Sequence, residues 1–142
     1  MIKIKLIKEK NGAKLIKEFK ETYGSIEALE RAFKRDSENV KLYMDLEDWE
    51  YFQDHPDEEI RETEIIYTDK SKIDILELEL MGLIKNETPS SISELAKIAN
   101  KDITSVQKKI KKLNDNGFIE IKEGKKNSKI PLINYDKIEI AI

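Results

Sequence analysis

The chain contains no cysteine, which excludes disulfides, catalytic thiolates and zinc–sulfur centres. It has one histidine, His55, set beside Pro56 in an acidic stretch without the partner residues that a catalytic or metal role needs. Asp54 and Asp57–Glu59 lie close by, but their spacing is not that of a calcium loop, and they read as solvated acidic surface. The five glycines are scattered, so no phosphate-cradling glycine loop is present. No run approaches the roughly 20 apolar residues of a membrane span. The lysines at 3, 5 and 8 are not followed by the apolar segment of a signal peptide. Together these absences predict a soluble, cytoplasmic protein that is not an enzyme and uses no cofactor or metal.

What the chain has in abundance is charge. Asp, Glu, Lys and Arg make up 39% of its 142 residues, for a net charge of -3. The length suits one domain or two small ones sharing a core. The charge is uneven. Residues 1–69 carry 12 basic and 18 acidic side chains, a net of -6, whereas residues 70–142 carry 14 lysines and 11 acids, a net of +3. Within 97–129 there are 10 lysines and 4 acids, a net of +6. Such a split predicts an acidic N-terminal region, 1–69, joined to an anion-binding domain, 70–142.

The first half predicts a small mixed α/β region. Alternation over Ile2–Leu6 predicts a strand, and Asn11-Gly12 a turn. Leu15, Ile16, Phe19 and Tyr23 have helical spacing, ended by Gly24. Ser25 caps a second helix through Phe33. Val40, Leu42 and Met44 alternate as in a strand, Asp45 then caps a short helix through Trp49 and Phe52, and 64–68 forms another strand.

The second half predicts three helices and a hairpin. Ser71 and Asp74 form a variant capping box before the stripe Ile73, Leu76, Leu80 and Leu83. Ser91 and Glu94 form a capping box that opens a second helix. Asp102 caps a third, whose stripe is Ile103, Val106, Ile110 and Leu113, with Gly117 at its C′ position. Residues 118–122 and 129–133 then pair around a polar tip, and Ile138, Ile140 and Ile142 alternate in a last strand.

Helix, helix, helix and hairpin, with a tight link from Asn100 to Asp102, is the order of a winged helix-turn-helix, so the fold class is α+β. At 100° per residue, Thr104, Ser105, Lys108, Lys111 and Lys112 fall opposite the apolar stripe of the third helix, with Gln107 flanking it. Short hydroxyl and amide side chains suit base edges, and lysines suit phosphates. Lys125, Lys126 and Lys129 at the hairpin tip can reach backbone or minor groove. These features predict a sequence-specific, DNA-binding transcriptional regulator.

The stretch SISELAKIANKDITSVQKKIKKLNDNGFIEIKEG (91–124) resembles the DNA-binding core of MarR-like winged-helix regulators. With the tail PLINYDKIEIAI (131–142), the half-chain 71–142 resembles a largely archaeal family of small winged-helix DNA-binding proteins, some of them encoded beside toxin-like proteins. The resemblance implies recognition-helix roles for Thr104, Ser105, Gln107 and Lys108 and wing roles for Lys125 and Lys126. Lys108 stands where many relatives of the broader class carry Arg. Lys lacks the planar fork of Arg, which favours phosphate-dominated binding with modest base readout.

Two further expectations concern partners. Ile75 and Leu78 fall opposite the main stripe of their helix, in line with Gly82, and a second apolar face calls for a second partner, either the N-terminal half or another subunit, with a homodimer the favoured expectation. Residues 45–64 carry ten acids against Arg61, a net of -9. A basic protein partner held there, with Trp49 and Phe52 as apolar anchors, is the alternative function: an antitoxin or protein-interaction module.

Overall fold

The computed structural model describes residues 2–68 and 73–142. Its elements run β1 (Ile2–Asn11), α1 (Gly12–Tyr23), α2 (Ile26–Arg35), α3 (Val40–Gln53), β2 (Glu59–Thr68), α4 (Ile75–Glu87), α5 (Ile92–Ala99), α6 (Ile103–Asp115), β3 (Glu120–Glu123), β4 (Lys129–Leu132) and β5 (Lys137–Ala141). The class is α+β, with antiparallel pairing of β1 with β5 and of β3 with β4. No helix among the described residues is long and apolar enough to cross a membrane.

The chain divides into two compact units, and the division differs from the expected regions 1–69 and 70–142. Met1–Ile7 groups with Thr63–Ile142, and Lys8–Glu62 forms the other unit. The reason is a strand pairing between the chain ends. Ile4 lies opposite Ile140 and Leu6 opposite Ile138, and the Asp136 amide donates to the Ile7 carbonyl at 2.7 Å. Residue 69, where the regions were expected to meet, and Ser71 of the expected capping box lie outside the described residues.

In the Lys8–Glu62 unit, Phe19, Leu29 and Trp49 form the buried centre, with Phe19 stacked on Trp49 at 5.6 Å. Asn11-Gly12 is a strand-to-helix junction, not the expected turn. The Asn11 side chain accepts the Lys14 amide at 2.9 Å, and a Cβ at Gly12 would collide with the His55 carbonyl oxygen and the Phe52 ring. Ser25 caps α2 as expected, accepting the Ala28 amide at 3.1 Å. The expected strand over Val40–Met44 is instead the start of α3. Asn39 caps it, accepting the Leu42 amide at 3.2 Å. The helical spacing of Leu42, Leu46 and Trp49 then outweighs the short alternation, because all three face the same core. Asp45 is therefore not a cap but a mid-helix residue, accepting from the Tyr23 hydroxyl at 2.5 Å and from Lys41 at 2.8 Å.

In the other unit, Leu80, Met81 and Ile84 of α4, Leu95 and Ala96 of α5, and Val106, Ile110 and Leu113 of α6 share one core with Phe118, Ile119, Ile4 and Leu6. Asp74 caps α4, accepting the Glu77 amide at 2.7 Å. Ser91 accepts the Glu94 amide at 3.0 Å, while the Glu94 carboxylate reaches back to the amide and hydroxyl of Ser90 rather than to Ser91. Asn100, at φ 53°, turns the chain from α5 toward α6. Asp102 caps α6 through the Ser105 amide at 3.1 Å. Gly117, at φ 83°, closes it. The amides of Gly117 and Phe118 bond the carbonyls of Asn114 and Leu113 at 3.1 and 2.9 Å, which is the Schellman arrangement.

Candidate functional site

The sequence places one polar face on α6, and packing decides how much of it is free. With Val106, Ile110 and Leu113 buried, Thr104, Ser105, Gln107, Lys108 and Lys111 are left exposed on the opposite side. Ser105 is also part of the cap, its hydroxyl 3.3 Å from Asp102. Lys111 forms an i, i+4 pair with Asp115 at 3.2 Å. Both partners are well exposed, so this pair is weak and readily exchanged.

Lys112 is held differently from the free anion contact expected of it. Its ammonium lies 2.7 Å from Glu77 Oε1, and Glu77 is 1% exposed. Lys109 on the same side pairs with Asp74 at 2.7 Å and approaches Glu77 at 3.7 Å. The Lys109 hydrogen bond, followed by that of the Glu77 amide, holds the Asp74 carboxyl below its ordinary range. The Asp74 contact raises Lys109 in turn. Two of the four clustered lysines thus fasten α6 to α4, and two, Lys108 and Lys111, remain outward.

The hairpin supplies the second group. Glu120 to Glu123 pairs with Leu132 to Lys129, and Lys125 and Lys126 sit exposed at the tip. Lys126 and Asn127 both have positive φ, 56° and 59°, and the Ser128 amide donates to the Lys125 carbonyl at 3.1 Å. This is the backbone of a tight turn of the type I′ class. The start of the hairpin is fixed from behind by Tyr135, whose hydroxyl donates to the Phe118 carbonyl at 2.6 Å. Burial, with the Glu64 charge adding to it, pushes that hydroxyl's pKa upward, so the donor stays protonated.

Helix and hairpin meet across a cleft of about 590 Å³. Its walls carry Gln107, Lys111 and Asn114 from α6, Asn127, Ser128 and Lys129 from the hairpin, and Ser91 and Ser93 from the start of α5. The cleft brings together two of the expected residues, Gln107 and Lys111. Lys108 and Lys112 line a neighbouring hollow with Asn116, and Lys111 and Asp115 line both hollow and cleft. Lys129 is the third of the hairpin lysines expected to reach DNA, whereas Asn114 and Ser128 were missed as site residues. Asn114 was findable, because it follows Gln107 by seven positions and so returns to the same helix face.

The acids of 45–64, all but Glu64 in the Lys8–Glu62 unit, are solvent-facing apart from Asp45, which is half-buried. The expected apolar anchors are corrected. Trp49 is 2% exposed and belongs to the core, and Phe52 is half-buried, edge-on to Tyr51 at 4.9 Å. The outward apolar side chains of α3 are instead Val40, Tyr43, Met44 and Tyr51. His55 stacks on the Tyr51 ring at 4.1 Å with its Nδ1 2.8 Å from the Tyr51 carbonyl oxygen.

A family model described only as HVO_A0114 matches residues 75–140 of the chain. That span covers α4 to α6, the hairpin and all but the last residue of β5, and so holds every residue of the cleft. No curated protein and no solved structure matches the chain.

Proposed function

We propose that the protein is a sequence-specific DNA-binding regulator of the winged helix-turn-helix type, with α6 as its recognition helix and the β3–β4 hairpin as its wing. The carrying observation is the cleft that joins the exposed face of α6 to the basic hairpin tip. Thirteen residues of α6 make a rod about 20 Å long and, with side chains, about 10–12 Å across, and a rod of that width fits a major groove about 12 Å wide. Thr104, Ser105 and Gln107 on its first turns are the base-reading side chains. Lys108 and Lys111 meet phosphates, and Lys125 and Lys126 carry the wing's charge. The expected resemblance of residues 91–124 to MarR-like winged-helix regulators is part of the same proposal. The test is retardation of labelled DNA from the protein's own promoter, followed by selection of bound sequences from a random pool. Equal retention of all sequences by the selected protein would refute specific recognition.

Dimerisation belongs to the same reading. Ile75 and Leu78 are 72% and 40% exposed on the outer face of α4, and a Cβ at Gly82 on that face would meet nothing within 4 Å. A second copy covering this face would present two recognition helices to two half-sites. Sedimentation of wild type against Leu78→Glu checks it, and a variant as dimeric as wild type removes α4 from the interface.

The alternative reading, an antitoxin or interaction module, has its own support in the other unit. Val40, Tyr43 and Met44 are exposed next to Glu47, and Asp48 has its carboxyl pushed up by burial and by the neighbouring Asp45 and Glu47 charges. A surface of that kind favours a basic partner. Both roles can reside in one autoregulating protein.

A further inference from the structure

Glu77 is an unusual residue to find at the root of a DNA-contacting helix. It is 1% exposed, and one carboxylate oxygen, Oε2, has no hydrogen-bond partner among the described residues. The other, Oε1, accepts from Lys112 at 2.7 Å and lies 3.7 Å from Lys109. A buried carboxylate whose cationic partners leave is an uncompensated charge in a poor dielectric, which is strongly unfavourable. An exposed phosphate contact returns much less, because water and salt screen it. Lys109 and Lys112 therefore stay with Glu77 when an anion arrives. Lys111, whose partner Asp115 is itself exposed, does not face that penalty.

Resting on the DNA-binding reading, we propose that Glu77 acts as an internal counter-anion that withholds Lys112 from DNA phosphates and, together with Asp74, Lys109 as well. It is a positioning residue, since it contacts lysines and not DNA. Its effect falls on the sequence-independent part of binding. Phosphate contacts supply nearly all of non-specific affinity, and base contacts supply discrimination. Taking two lysines out of the first and none from the second widens the ratio between operator and bulk DNA. The arrangement also gives α6 a fixed rotation about its axis, with Lys108 and Lys111 outward and Lys109 and Lys112 turned to α4.

The experiment measures affinity for a duplex of unrelated sequence across a salt series, using the full chain. In wild type, Lys112→Gln leaves the salt slope unchanged, whereas Lys111→Gln lowers it by about 0.9. Glu77→Gln removes the 2.7 Å partner of Lys112, while Lys109 keeps its pair with Asp74, and the slope steepens by about 0.9 as Lys112 reaches a phosphate. Between about 50 and about 200 mM salt, one such unit is an additional loss of about 3.5-fold. Adding Lys112→Gln to Glu77→Gln reverses that gain. A wild-type slope that falls with Lys112→Gln, or a folded Glu77→Gln protein with an unchanged slope, overturns the proposal while leaving DNA binding standing. If Glu77→Gln does not fold, the Lys112→Gln slope decides alone. Absence of salt-dependent DNA binding by wild type would remove the regulator reading and this inference with it.

Discussion

Gly117 and Asp102 bracket α6, and each does so through one local interaction. Gly117 sits at φ 83°, and a Cβ added there would make only an ordinary contact with Ile66 at 3.7 Å. The cost of Gly117→Ala is thus the backbone cost of a left-handed residue alone, about 1 kcal/mol. Asp102→Ala removes the acceptor for the Ser105 amide and also costs about 1 kcal/mol. Each substitution is expected to lower the melting temperature by about 3 °C, read by circular dichroism. At the same scale, replacing Lys108 and Lys111 by Ala weakens binding to every DNA sequence alike, while Gln107→Ala changes the ranking among sequences. Competition titrations with several duplexes distinguish the two outcomes. Asp74 adds a pH dependence. Its carboxyl is held below the ordinary range, so its stabilising contribution is complete at neutral pH and is lost as pH falls through the depressed pKa. Melting temperatures of Asp74→Asn should therefore fall less than those of wild type on acidification below about pH 4.

At the scale of elements, the hairpin separates into a frame and a basic tip. The frame is the β3–β4 pairing backed by Tyr135. The tip is a tight turn whose two central residues, Lys126 and Asn127, hold positive φ. Asn-Gly is the favoured pair for such a turn. The double substitution Lys126→Asn, Asn127→Gly should keep or raise the melting temperature, because glycine takes that conformation without strain. It should also lower the DNA salt slope by about 0.9, since one lysine leaves. A loss of DNA binding accompanied by a loss of stability would mark the tip as structural. Tyr135 belongs to the frame: Tyr135→Phe leaves the Phe118 carbonyl without its donor, at a cost of about 1 kcal/mol.

At the scale of the molecule, the units determine how the acidic half can be removed. A chain beginning near residue 69 would lose Ile4 and Leu6, each 3% exposed in the core, and its DNA affinity would report unfolding. The segment Gly12–Glu58 is closed at its base by the Gly12 amide, which donates to the Glu58 carbonyl at 3.0 Å. It holds seven basic and thirteen acidic residues, a net of -6, so its replacement by a two-residue turn takes the chain from -3 to +3. That protein is expected to retain the Ile4–Ile140 and Leu6–Ile138 pairing and to bind unrelated DNA more tightly than the full chain. Weaker non-specific binding by the folded excision protein would show that the segment helps to grip DNA.

Much of the C-terminal half was legible in the residues alone. Caps at Ser91 and Asp102, the Gly117 stop and the Val106, Ile110 and Leu113 stripe are local signals, each decided within a few positions of the chain. They set the helices, their phase and the polar face of α6 with no reference to the rest of the molecule. Where local signals compete, the nearest one misled. Val40, Leu42 and Met44 alternate like a strand, yet Leu42, Leu46 and Trp49 form the longer helical stripe that a core must bury. What no local signal carries is which distant surface a side chain meets. Glu77 and Lys112 are 35 positions apart, and Ile4 and Ile140 are paired from opposite ends of the chain. Sequence determined that lysines would gather on one helix. Only tertiary structure decided that Lys109 and Lys112 turn to a buried carboxylate while Lys108 and Lys111 stay outward, because a buried charge takes its partners from whatever packing brings within reach.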